Sequence, residues 1–391
     1  MRSVAIIGTG IAGMGCGHFL HRTHRLSFYE RNDYVGGHTN TVTVDEEGTT
    51  VPIDTGFMVY NEVTYPNLTR LFAEIGAPTT ETNMSFSVQH RPTGLEWCGS
   101  GLDGLFAQRS NLLRPSHWRF LGEVHRFNTT APALLDDAAR ARMTLGDYVA
   151  AERFSEDFVW KYLIPMGSAV WSSPPEEMLA FPAHTLIRFF QNHGFLGLNT
   201  QHQWRTLAGG SREYRERLIA PWRDAIRCAR AATTVERTAD GAVVRAADGS
   251  TERYDLVIIA AHADEALALL AAPTDEERKL LGSFRYQRNT ATLHTDRGIM
   301  PRARRAWSSW NYLLDGSKSG GFATTTIYWM NSLQRVSQRR DYFVSINDPG
   351  LVRPETVLRT IPYDHPLLSV EAAEAQRELP RLNAAGAVRF C

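Results

Sequence analysis

An apolar run, Val4-Ala5-Ile6-Ile7, leads straight into Gly8-Thr9-Gly10-Ile11-Ala12-Gly13, and the next apolar run, Leu26-Ser27-Phe28-Tyr29, closes on Glu30. Few short patterns restrict a chain so tightly. A strand turning into a helix through this glycine spacing is the start of a dinucleotide-binding βαβ unit. Gly8 allows the tight turn, Gly10 lets bare backbone approach a pyrophosphate at the positive helix N-terminus, and Gly13 lets the helix pack closely on the sheet. Glu30, followed by Arg31, stands where a carboxylate accepts hydrogen bonds from the ribose hydroxyls of an adenosine. The competing reading is a glycine-rich turn with a surface glutamate.

A chain of 391 residues exceeds the ~250–300 residues at which single cores stop growing, so two domains are expected. Lys+Arg and Asp+Glu balance at 42 each, which leaves no overall field to recruit nucleic acid. The longest apolar stretches, such as Leu256 to Ala261, fall short of the ~18 residues of a membrane span. The strand at the very N-terminus argues against a secretory leader. Cys16, Cys98, Cys228 and Cys391 are scattered, with no spacing that suggests a zinc site or a disulfide scaffold. A cytoplasmic protein is expected.

The residues after Glu30 separate NAD from FAD. A second glycine pair, in Asp33-Tyr34-Val35-Gly36-Gly37-His38-Thr39, predicts another close backbone approach. Residues 41–45 and 50–53 alternate like a hairpin, which delivers Asp54-Thr55-Gly56-Phe57 back toward the glycine loop. A plain surface hairpin is the competing reading. A hairpin at 84–98 precedes a helical, aromatic-rich stretch from Gly104 to about Gly197. Tyr254 to Ala261, apolar throughout its second half, predicts a parallel strand buried on both faces, so the chain has returned to the nucleotide-binding sheet. From about Asn289 to Asn347 alternating patterns predict an antiparallel sheet.

These pieces resemble the amine oxidase and phytoene desaturase group of FAD enzymes. The resemblance rests on Gly8 to Gly13 with Glu30, the 33–37 element, Asp54-Thr55-Gly56, Ala208-Gly209-Gly210-Ser211 and Tyr254 to Ala261. Within the group the chain is similar to bacterial relatives of the flavoprotein portion fused ahead of cyclopropane fatty acid synthase in plants. The resemblance implies an α/β fold, a Rossmann-like FAD/NAD(P)-binding domain interleaved with an α+β substrate domain of antiparallel sheet plus helical insertion. The expected divisions are 1–83, 204–285 and 351–391 for the FAD-binding domain, and 84–203 and 286–350 for the substrate domain. It also implies Gly36, Gly37, His38 and the adjoining Thr39 near the pyrophosphate, Thr55, Gly56 and Phe57 near the flavin, and Val235 at the adenine through its backbone.

Two departures stand out. The arginine that amine oxidases usually carry after the paired glycines is His38 here, a charge that titrates near neutrality. The family's flavin-covering C-terminal segment is expected to be missing, since Val388-Arg389-Phe390-Cys391 stands where it should begin.

The function expected is FAD-dependent two-electron oxidation or desaturation of an apolar, acyl-lipid-like small molecule. The cofactor supplies the difficult chemistry. The alternatives are an amine oxidase proper, a flavin-free lipid-binding protein on the same scaffold, and an NAD-dependent dehydrogenase. No catalytic group is assigned. Tyr60, Asn61, Trp329 and Asn331 are candidates whose ordinary readings are packed rings and turn amides. Leu112 to Phe120 mixes basic and aromatic residues in a way that suits peripheral membrane contact. The sequence does not set the oligomeric state.

Overall fold

The computed structural model describes residues 1–197, 200–317 and 321–391. β1 (Ser3–Ile7) is buried at every position and pairs in parallel with β2 (Arg25–Tyr29) on one side and Leu256–Ile259 on the other. Ile226–Arg227 and Val388–Phe390 complete this five-stranded parallel sheet at its two edges. Between β1 and β2 runs α1 (Ile11–Leu20), entered through Gly8 at φ +99°, where a Cβ would stand 2.4 Å from the Ala260 carbonyl oxygen. A Cβ on Gly13 would meet the Gly8 oxygen at 2.1 Å, so α1 lies as near the sheet as backbone allows.

The apolar run Tyr254 to Ala261 divides between two sheets. Thr251–Tyr254 ends a three-stranded antiparallel sheet with Ala232–Thr238 and Gly241–Ala246, while Leu256–Ile259 enters the parallel one. Asp255 marks the change, its carboxylate accepting from the Ser3 N–H at 2.6 Å and hydroxyl at 2.9 Å.

The second large body is a seven-stranded sheet, ordered Val357–Leu367, Arg285–His294, Phe343–Ile346, Gly321–Trp329, Trp310–Ser317, Phe86–His90, Leu95–Cys98. All neighbours are antiparallel except Trp310–Ser317 with Phe86–His90. Side chains alternate as the pleat requires. Tyr312 and Leu314 join the core under the helices of residues 101–192, whereas Leu313 between them joins a smaller cluster on the opposite face with Ile327 and Phe343. The helical layer contributes Phe120, Phe127, Phe158 and Phe190, all at most 2% exposed, so these rings are core. Among the described residues, no helix is long and apolar enough to cross a membrane.

One expectation is corrected here. The sequence reading sends everything after residue 350 back to the nucleotide-binding sheet, yet Val357–Leu367 is a strand of the seven-stranded one. Pro362 and Pro366 hide it, because proline cannot donate to a ladder. The strand lies at the sheet edge, where that loss is tolerated. Only Val388–Phe390 joins the parallel sheet.

Two buried histidines, His90 and His294, and the half-buried His38 are expected to make this fold acid-sensitive. Burial pushes His38, His90 and His294 down to about 4. In the unfolded chain each titrates near 6.5, so unfolding takes up protons below that pH. Stability is full above pH ~6.5 and falls as pH drops toward about 4, by about 1.4 kcal/mol per pH unit for each histidine. A steep loss of thermal stability over that window is expected in scanning calorimetry, with a shallower slope for His294→Gln. A flat profile would show that these rings are charged in the native state.

Candidate functional site

A cavity of about 950 Å³ opens at the carboxyl ends of β1 and β2, over the amino end of α1. Ligands of open α/β sheets bind at such strand ends. Gly8, Gly10, Ile11 and Ala12 line it from the first turn, Glu30 and Arg31 from the end of β2, Gly36, Gly37, His38 and Thr39 from the second glycine pair, and Phe57 from beyond the hairpin. Sequence reasoning places these residues together, and the structure does so.

The local chemistry suits an anionic diphosphate. No side chain caps α1, so its first N–H groups await an acceptor at the positive end of the helix dipole. A Cβ on Gly10 would meet nothing within 4 Å, whereas one on Gly37 (φ +57°) would face the Gly10 Cα at 3.5 Å, so two bare backbones border the same open space. Glu30 is 5% exposed; its Oε2 accepts from the Thr9 N–H at 3.1 Å and hydroxyl at 2.5 Å, and its Oε1 from the Asn32 N–H at 2.9 Å. These bonds fix the carboxylate in the wall and leave it lone pairs for further donors. Arg31 pairs across the cavity with Glu265.

His38 differs from expectation. Its ring stacks on Tyr363 at 4.5 Å between centroids and lies 5.2 Å from His365, while its Nε2 is buried without a partner. Burial lowers its pKa, and His365 and His262 add repulsion, so the ring is neutral near pH 7 rather than titrating there.

Five expected residues do not line the cavity. Gly13 packs under the turn, against the Gly8 backbone. Asp54 is wholly buried, and its carboxylate accepts from Ser211 N–H (2.9 Å) and hydroxyl (2.7 Å), Thr41 hydroxyl (2.6 Å) and Gln334 side-chain amide (2.6 Å). It ties the hairpin to the Gly209-Gly210-Ser211 turn. Thr55 bonds the Asn40 carbonyl at 3.1 Å and the Tyr363 hydroxyl at 3.0 Å, and Gly56 has only 2.4 Å to the His38 oxygen where a Cβ would sit. Val235 is 1% exposed, its carbonyl already accepting from the Ala271 N–H at 3.0 Å. Ala231, Ala232 and Thr233, just upstream on the same chain, reach the cavity instead.

Residues not foreseen complete the walls: Tyr29, Tyr65, Leu68, Tyr214, Ala260, Ala261 and His262 among them. Ala260 to His262 come directly after Leu256–Ile259, so the strand-end rule was the signal that would have found them. The candidate catalytic groups lie elsewhere. Trp329 donates its indole N–H to Asp341, Asn331 donates to the Ser337 and Arg340 carbonyls, and Tyr60 packs on Phe72. Asn61 accepts from the Val63 and Thr64 N–H groups as a turn amide, with its Nδ2 buried and unpartnered.

The sequence pattern of the flavin-containing amine oxidoreductases matches residues 11–332. The chain belongs to that family. As a flavin-containing amine oxidoreductase it is an FAD-dependent oxidoreductase. No curated protein matches it at significant similarity. Its fold is similar to that of a double mutant of putrescine oxidase, at 12% identity and TM-score 0.67, covering 100% of this chain and 92% of that one. It is likewise similar to cyclohexylamine oxidase from Brevibacterium oxydans, at 15% identity and TM-score 0.66, covering 100% and 92%. A CLA-producing fatty acid isomerase from P. acnes aligns at 14% identity and TM-score 0.63, covering 100% and 93%. At such identities the likeness is one of fold.

Proposed function

We propose that this flavin-containing amine oxidoreductase holds FAD in the cavity over Gly8 to Gly13 and oxidises an apolar, acyl-lipid-like substrate. The residues present fit the cofactor: an uncapped helix start, two facing glycine backbones, a fixed carboxylate at Glu30 and an unpartnered Nε2 at His38. The uncapped α1 facing open space at Gly10 is the observation that carries the assignment. Gly10 and Gly37 would border the diphosphate, Glu30 would accept from the ribose, and residues 231–233 would border the adenine. When bound, FAD supplies a two-electron acceptor for a substrate carbon–hydrogen bond. Phe57, Tyr65, Leu68 and Tyr214 give the cavity an apolar and aromatic part of its lining.

Glu30→Gln is expected to weaken FAD binding by removing a charged acceptor worth about 1.5–3 kcal/mol, on the order of ten- to a hundredfold in Kd. Fluorescence titration of the apoprotein measures it, and an unchanged Kd would remove Glu30 from the site.

A second reading, amine oxidation, draws on the family; the separate cavity of about 330 Å³ between the helical layer and the large sheet shares no lining residue with the cofactor cavity and carries Arg288 in its wall. Anaerobic titration of the flavin-loaded protein with acyl lipids and with aliphatic amines separates the two. Bleaching of the flavin absorption by acyl lipids supports the first reading. Bleaching by amines alone replaces it with the second.

A further inference from the structure

Among the described residues nine large hydrophobic side chains are exposed, and four of them come from one stretch of the helical layer: Leu102 at 75%, Leu112 at 46%, Leu113 at 88% and Trp118 at 53%. Backbone and ring contacts hold the segments that carry them together. Phe106 donates its N–H to the Leu102 carbonyl at 3.0 Å, and its ring lies 5.0 Å from that of Trp118. The Trp118 indole N–H donates to the Leu112 carbonyl at 3.0 Å. That bond satisfies the indole internally, so the ring can leave water without stranding a donor.

The rim of the face is basic. Arg109, Arg114 and Arg119 are exposed around it, and the only acidic residue between positions 101 and 119, Asp103, is held by Arg109 at 2.5 Å. Arg114 and Arg119 form no ion pair with any described residue. Arg305, exposed on the neighbouring turn Arg304–Ala306, adds a further positive charge beside Asp103.

We propose that this face docks on the surface of an anionic phospholipid bilayer, with Leu113 and Trp118 entering the acyl boundary and the arginines meeting headgroup phosphates. Exposed apolar side chains beside two arginines without an ion pair, Arg114 and Arg119, on a segment presenting a ring whose polar atom is already bonded, have the chemistry of an interfacial anchor. Four side chains make a small apolar patch beside the ~800 Å² that each partner contributes to a stable protein interface. Neither the cofactor nor the substrate enters the inference, so its failure would leave the assignment of the cavity intact.

Sedimentation of the full chain with vesicles tests it. Binding is expected to vesicles of phosphatidylcholine with phosphatidylglycerol, to fall steeply as salt is raised, and to be much weaker on pure phosphatidylcholine. Arg114→Gln and Arg119→Gln should each weaken it by about fivefold. Leu113→Ser, at the most exposed of these side chains, should weaken it at unchanged thermal stability, and joint replacement with Trp118→Ser should reduce it by on the order of tenfold or more. No binding to anionic vesicles, or binding that survives the joint replacement, would overturn the proposal. So would a concentration-dependent dimer that the joint replacement dissociates, because a second copy would then cover the face.

Discussion

Gly10→Val is expected to yield a folded protein that no longer holds FAD, while Gly13→Val should fail to fold stably. The two glycines stand three residues apart in the same loop and helix start, and the structure gives them opposite roles. At Gly10 a side chain meets no protein atom within 4 Å and projects into the open space at the start of α1. It would occupy the place of the diphosphate and bar it from the uncapped N–H groups, for a loss of at least about 3 kcal/mol of binding, roughly a hundredfold or more in Kd. At Gly13 the Cβ would strike the Gly8 carbonyl oxygen at 2.1 Å, side chain against backbone, and the helix would have to leave the sheet. A destabilisation above about 3 kcal/mol is expected there. Urea unfolding and FAD titration of both variants check the pair. Tight FAD binding by Gly10→Val would remove the diphosphate from this loop.

Asp54→Ala is expected to cost on the order of 3–5 kcal/mol of stability, because several buried donors lose their acceptor at about 1–3 kcal/mol each. The Ser211 N–H, the Ser211 and Thr41 hydroxyls and the Gln334 amide all converge on this one carboxylate, from the hairpin, the Gly209-Gly210-Ser211 turn and the short helix Met330–Leu333 with its cap. Burial raises the Asp54 pKa above the ordinary carboxylate value, an effect the hydrogen bonds from Thr41, Ser211 and Gln334 only partly offset; with its oxygens engaged by these donors, the side chain is a structural junction. Asp54→Asn keeps one acceptor oxygen and should cost less than the alanine change. A urea midpoint that barely moves in Asp54→Ala would show that water or other groups satisfy these donors.

The parts of the site legible in the sequence are those set by local backbone demands. Gly8, Gly10 and Gly13 are fixed by a turn and two close approaches within one short segment, and Glu30 by its place at the end of the next strand. Contacts that depend on strand register were harder to place. Val235 belongs to the expected strand, but the residues of that segment lining the cavity are Ala231 to Thr233, while the ladder to Val244 and the bond from Ala271 hold Val235 inside the sheet. Asp54 illustrates a different limit. Its position beside Thr55-Gly56 suggested the flavin, and only the fold reveals that Ser211, 157 residues later, supplies its partners. The edge strand Val357–Leu367 was hidden by its prolines, which are compatible with an edge and with little else in a sheet. His38 was visible as a residue, but its neutrality comes from burial and from His365 and His262 brought near by distant segments.

The most direct test of the account is an FAD titration of the folded apoprotein, read by flavin fluorescence and absorption, with subsequent denaturation and identification of the released nucleotide by mass. Saturable binding near one FAD per chain is expected, abolished by Gly10→Val and weakened by Glu30→Gln. A folded protein that leaves the flavin signal unchanged, or that releases only a nicotinamide dinucleotide, would contradict it.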